Sequence, residues 1–184
     1  MRIWTIGHST RAIDEFISLL EQNEIKLLAD VRAWPGSKRY PQFNKDTLAE
    51  SLNAHGIRYE HFPKLGGKRK SRPDSRNTAW RNASFRGYAD YIETEQFQKG
   101  IERLLDVAVE AGPSAIMCAE AVWWRCHRRI ITDYLIAAGE TVFHILDANK
   151  VEPARLNGAA RIAPTGSLTY PALPSAVENP EGRQ

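Results

Sequence analysis

Sulfur is scarce in this chain: its 184 residues include two cysteines, Cys118 and Cys126. That count excludes the disulfide framework that staples small secreted domains. Long apolar runs are missing too. None approaches the ~20 residues of a membrane helix, so no membrane partner is expected. Met1 to His8 reads as a short strand, without the apolar stretch and small-residue cleavage site of a signal peptide, so the expected compartment is a reducing cytosol where both cysteines are thiols or ligands. No Walker loop, dinucleotide glycine fingerprint, HExxH pair or GxSxG elbow occurs, which counts against several common enzyme classes. Internal repeats and low-complexity segments are absent. A net charge of +3 is too small to define a nucleic-acid partner, so local charge has to decide.

What is present suits one domain. Hydrophobic residues make up 42% of the chain, and a domain of this size buries roughly 70% of its unfolded surface. Residues 2–6 alternate as a strand. Ile13, Phe16, Ile17 and Leu20 then follow the spacing of a helix with one buried face. Ile25 to Val31 is apolar and strand-length; Leu48 and Leu52 mark a short helix, and Ile57 to Phe62 alternates again. A helical stretch runs from about Tyr88 to Ala111, with Thr94 as a cap for its second segment. Ser114 to Met117, the Ile130–Ala138 helix and Thr141 to Leu146 complete the alternation. The expected fold is α/β: a mostly parallel central sheet of about five strands with helices on both faces, in three layers. Residues 1–150 form the domain and 151–184 a Pro/Ala/Gly-rich tail that wraps it through Leu168 and Tyr170, with its last ten residues expected to be disordered.

Ligands of such sheets bind beyond the carboxyl ends of strands. Three segments lie there: Gly7-His8-Ser9, Asp30-Val31-Arg32 and Cys118-Ala119-Glu120. The densest chemistry runs from Cys118 to Arg129. A thiol becomes nucleophilic when positive charge or a helix N-terminus favours its thiolate, and Arg125, His127, Arg128 and Arg129 surround a helix start near Cys126. Cys118, Cys126, His127, Glu120 and His8 are therefore the candidate catalytic groups. Against this stands a simpler reading, in which Cys118 is a small buried hydrophobe, His8 a hydrogen-bonded turn residue, and Asp30–Arg32 a structural pair. Cys118, Cys126 and His127 also offer three metal donors, but their spacing fits no common zinc pattern, so no metal is assigned. A redox pairing of the two cysteines would require Cα atoms within about 7 Å. No cofactor is named by these residues.

Residues 63–86 break the alternation with eight basic residues against one acid, Asp74. Lys68, Arg69, Arg86, Arg32, Arg125, Trp124 and Tyr88 are candidate substrate-binding residues. The partner they suggest is an anionic small molecule or a nucleic acid, with aromatic side chains available for stacking. The favoured reading is an enzyme whose cysteine-containing, Arg/His-rich strand-end pocket acts on a phosphate- or nucleotide-like substrate; a nucleic-acid-binding module using segment 63–86 and a metal or redox sensor are the alternatives.

Several motifs occur together and in one order: Thr5-Ile6-Gly7-His8-Ser9-Thr10, Asp30-Val31-Arg32-Ala33-Trp34-Pro35, Leu65-Gly66-Gly67, Phe85-Arg86-Gly87-Tyr88-Ala89-Asp90-Tyr91, and Met117-Cys118-Ala119-Glu120 with Arg125-Cys126-His127-Arg128. In these the chain resembles the bacterial and archaeal family called domain of unknown function 488. The resemblance implies an α/β domain in which His8, Arg32, Cys118, Glu120, Arg125, Cys126 and His127 share a neighbourhood. It implies no activity. Where such proteins commonly have Pro before the second Trp of the Cys loop, this chain has Trp123. A weaker likeness, to rhodanese-like domains, rests on Asp30-Val31-Arg32 and the later Cys-loop-Arg-helix order; six residues separate Cys118 from Arg125, the wrong loop length.

Overall fold

The computed structural model describes residues 1–172. The tail's last ten residues, expected to be disordered, lie outside them. Five parallel strands, β1 (Arg2–Gly7), β2 (Leu27–Asp30), β3 (Arg58–His61), β4 (Ser114–Cys118) and β5 (Thr141–Asp147), form the sheet with β6 (Lys150–Pro153). The order is β3-β2-β4-β1-β5-β6, and only β6 runs antiparallel, as an edge. This sixth strand lies where the tail was expected to begin. The tail continues as a small hairpin, β7 (Arg161–Ile162) with β8 (Leu168–Thr169), and buries Leu168 and Tyr170.

Helices α1 (Ile13–Gln22) and α2 (Lys45–Ala54) cover one face. Phe16, Leu20, Leu48 and Leu52 pack there against Ile6, Leu28, Ala115 and Met117. On the other face, α3 (Ala83–Tyr91), α4 (Glu95–Ala111) and α5 (Arg128–Ala137) bring Tyr88, Phe97, Ile101, Leu104, Ile130 and Ile131 onto Ile3, Leu27, Ala29 and Ile116. The two-residue period of β4 divides it cleanly, with Ala115 and Met117 on one side and Ile116 and Cys118 on the other. The helical stretch breaks where expected: Thr94 caps α4 by accepting from the Phe97 amide, and Asn82 caps α3.

Two buried ionisable groups give acid stability opposite slopes. His144 on β5 is 1% exposed, and burial lowers its pKa to about 4. Between pH 4 and 6.5 the unfolded chain takes up a proton there that the folded chain refuses, so this group's stability is present above 6.5 and lost as pH falls. Asp133 on α5 is raised to about 6 by burial, despite hydrogen bonds from the Asn157 amide and the Tyr170 hydroxyl. Its contribution is present below pH 4 and lost as pH rises through 6. In urea melts between pH 4 and 6.5, D133N is expected to steepen the rise of stability with pH relative to the parent chain. H144Q is expected to flatten or invert it, each by on the order of 2 kcal/mol across the window. Parallel curves for all three proteins would show that neither group is held as described.

Candidate functional site

The order β2-β4-β1 sets the three strand-end segments side by side. β4 is buried throughout and delivers Cys118 to its carboxyl end. Residues 119–122 then turn outward, Trp123–Arg125 forms a single 3-10 turn, and Cys126 and His127 lead into α5. This loop is fastened at several points. The His8 amide donates to Cys118 O at 3.0 Å and the Ser9 amide to Ala119 O at 2.9 Å, extending the β1–β4 pairing past the sheet. Arg128, 1% exposed, donates through Nη2 to Glu120 O. Trp123, the residue at the position where relatives were expected to have Pro, stacks on His144 at 4.1 Å between ring centroids and 9° between planes. Its indole N–H reaches Glu152 Oε1 of β6 at 3.1 Å. Trp123 thus ties the loop to β5 and β6, while neighbouring Trp124 is half exposed.

Within this frame Cys118, Cys126 and His127 converge, their donor atoms all within 4.8 Å of one another. His127 Nδ1 lies 3.6 Å from Cys126 Sγ and 4.0 Å from Cys118 Sγ. Its Nε2 lies 2.9 Å from Val31 O. A carbonyl only accepts, so Nε2 carries a hydrogen, and in the neutral ring the Nδ1 lone pair faces the two sulfurs. Burial by itself would push the Cys126 thiol up. The hydrogen bond from Cys118, with His127 and Arg128 nearby, outweighs it and holds Cys126 well below the ordinary thiol value. Cys118 is pushed up, first by its bond to Cys126 and then by burial.

The cluster opens into a cavity of about 510 Å³, walled by Arg32, Trp34, Lys68, Phe85, Tyr88, Glu120 and Arg125. Gly67 stands beside His127, where a Cβ would come 2.9 Å from Nδ1. Lys68 follows with φ 63°, a left-handed backbone unusual for a side-chain-bearing residue, and its ammonium sits 4.9 Å from the Trp34 ring centre. Among the described residues, neither Lys68 nor Arg125 is in a salt bridge; Arg125 reaches the cavity from the 3-10 turn.

Some of the other expected site residues stand elsewhere, and some line the cavity with their polar groups already engaged. His8 lines a smaller neighbouring cavity of about 350 Å³ and not the cysteine cavity. Its Nδ1 donates to Ser9 O at 2.9 Å and its Nε2 accepts from Arg32 Nη1 at 3.3 Å, so both ring nitrogens are engaged. Burial lowers its pKa to about 4, and the ring stacks on Phe43 at 4.3 Å. Arg32 touches both cavities, yet its fork is occupied by Asp30, Phe43 O and His8. Tyr88 contributes its ring as wall while its hydroxyl donates to Leu65 O. Arg69, Arg86 and Trp124 do not line the cavity: Arg69 lies 3.8 Å over the Tyr91 ring, and Arg86 bonds Trp80 O. Trp34, Ser84 and Phe85 do line it, although sequence reasoning did not single them out as ligands. The available signals were the position of Trp34 two residues after the Asp30-Val31-Arg32 strand end and that of Phe85 inside the basic segment.

Four arginines of the basic segment 63–86 are engaged within the fold. Arg72 and Arg76 both pair with Glu93, each at 2.7 Å, and Arg69 and Arg86 are spent on backbone carbonyls. The segment is pinned to α3 by buried Asp90, which accepts from the Arg72 amide, Ser75 and Asn77.

An α/β sheet with a cysteine–histidine cluster at its strand ends defines the general class. The family described as Domain of unknown function DUF488 matches residues 12–135, more than half of the chain, and the chain belongs to that family. No curated protein and no solved structure matches it. The likeness to rhodanese-like domains finds no support among these comparisons.

Proposed function

We propose that the chain is an enzyme whose cysteine-containing, Arg- and His-rich pocket acts on an anionic substrate, phosphate- or nucleotide-like. One observation carries this reading. Two cations without an ion-pair partner among the described residues, Arg125 and Lys68, share a cavity with a sulfur–imidazole cluster. Cations left without partners are favourable places for an anion, and charge-assisted bonds to a guanidinium are the strong ones. In this reading Arg125 and Lys68 hold the anion, and Cys118, Cys126 and His127 form the reacting end. Trp34 and Phe85 offer flat walls to a base or other planar group. Glu120, exposed at the mouth, is placed to exchange a proton with water. A nucleic-acid-binding role for segment 63–86 is less well supported, because four of its arginines are already engaged within the fold.

The test is calorimetric titration at low salt with inorganic phosphate, pyrophosphate and a nucleoside monophosphate, followed by turnover assays on esters of whichever binds. R125A is expected to weaken binding by about 10- to 100-fold, the worth of one charge-assisted contact. R69A, outside the cavity, is expected to leave it unchanged. No anion bound at low salt, or equal loss in both variants, would remove the reading.

A further inference from the structure

The geometry at the cavity floor points to more than a pair of thiols. We propose that Cys118, Cys126 and His127 bind one borderline-soft divalent cation of the zinc type, with one coordination position left open to the cavity. The donor distances support it. In a tetrahedral site with metal–sulfur bonds of about 2.3 Å and metal–nitrogen bonds of about 2.0 Å, sulfur and nitrogen stand about 3.5 Å apart and two sulfurs about 3.8 Å. The two sulfur–nitrogen separations are 3.6 and 4.0 Å, and no two donor atoms exceed 4.8 Å. Closing the donor set by up to about 1 Å, shared among the three side chains, brings all three onto one ion.

The histidine is prepared for this role. Its Nε2–H is held by Val31 O, which fixes the ring and turns the Nδ1 lone pair to the sulfurs. That outer bond to a backbone carbonyl is the arrangement by which metal-binding histidines are usually oriented. The two cysteines are 8% and 4% exposed, and each is held by a different element: Cys118 by β4, and Cys126 by the turn before α5. A two-sulfur, one-nitrogen donor set selects zinc-like ions over magnesium or calcium. Three protein ligands facing a cavity are the pattern of a reacting site, whereas structural zinc is closed by four. Gly67 leaves room on the Nδ1 side, because any side chain there would crowd the ring.

This inference rests on the proposed function only for what the open position meets, an anionic oxygen held by Arg125 and Lys68. The ion would polarise that oxygen as a Lewis acid.

The experiment uses the whole chain, purified in reductant, stripped with a chelator and titrated with cobalt(II). About one equivalent should bind, with a thiolate-to-cobalt charge-transfer band in the near ultraviolet that zinc abolishes by displacement. C118S and C126S are each expected to lower zinc affinity by at least ~100-fold, and G67A by about 10-fold through displacement of the His127 ring. If the serine variants do not fold, the parent chain still decides. Zinc should protect both thiols from iodoacetamide, and a chelator should restore their labelling. No charge-transfer band, a band that survives in the C118S/C126S double variant, or labelling indifferent to zinc would overturn the site. R125A should keep the metal and lose the anion. Metal bound without any anion would sink the proposed function and spare this site; anion bound without metal would do the reverse.

Discussion

Replacing Gly7 by alanine is expected to cost at least about 3 kcal/mol of stability, in urea melts, and to dismantle the site in whatever fraction still folds. Gly7 ends β1 where the Cys118 loop crosses it. A Cβ there would lie 1.9 Å from Glu120 O, 2.6 Å from Glu120 C and 2.9 Å from Ala121 Cα. All three are backbone atoms, so no rotamer change relieves the clash. The strand end and the loop must separate. Separation breaks the His8–Cys118 and Ser9–Ala119 backbone bonds and draws Glu120 O away from buried Arg128. The bonds lost are the ones that hold Cys118 opposite Cys126, so cobalt binding should fall along with the melting midpoint. Gly158, with open space around its would-be Cβ, supplies the control; G158A should stay within about 0.5 kcal/mol. Equal midpoints for the two variants would show that the loop does not depend on this contact.

The three strand-end segments could be read from the chain because a strand closing in polar residues has a local signature. Their adjacency could not. It depends on β4 inserting between β2 and β1, a choice made by crossovers between distant segments. The sulfur–imidazole neighbourhood was expected from the resemblance, but its donor geometry was not legible, for a related reason. Linear spacing argued against Cys126 and His127 sharing a ligand with Cys118, yet the backbone turns between Cys126 (φ −133°, ψ 154°) and His127 (φ −58°, ψ −17°), which lets both side chains face the same point. The group that fixes the His127 tautomer, Val31 O, is 96 residues away. Segment 63–86 misleads in the opposite direction. Its charge is plain in the sequence, but the Glu93, Gly66 and Trp80 atoms that engage its arginines are visible only in the fold. The bonds to buried Asp90 likewise make that run a fastened wall of the site.

The Asp30–Arg32 pair shows how the same residue types serve structure at the edge of the cavity, which Arg32 lines. Asp30 is fully buried and Arg32 is 6% exposed. The carboxylate accepts from Arg32 Nε at 2.9 Å and Nη2 at 2.6 Å, and from the Tyr59 hydroxyl at 2.7 Å. Such a pair contributes little net stability over an apolar filling, because both charges have left water; breaking it strands one charge in the interior. D30N is therefore expected to cost about 3–5 kcal/mol, since the amide keeps the shape and removes the countercharge. D30L/R32M removes both charges and should recover most of that loss in the same denaturation experiment. The pair of variants separates two roles that one variant would confuse. If Arg32 were a substrate ligand with its fork free, D30N would be nearly as stable as the parent chain and R32M alone would abolish anion binding. With the fork closed on Asp30, Phe43 O and His8, anion affinity should follow Arg125 and Lys68, and D30L/R32M should bind phosphate about as well as the parent. Stability then reports on Asp30 and Arg32, and ligand affinity on Arg125 and Lys68, the two cavity cations outside any salt bridge among the described residues.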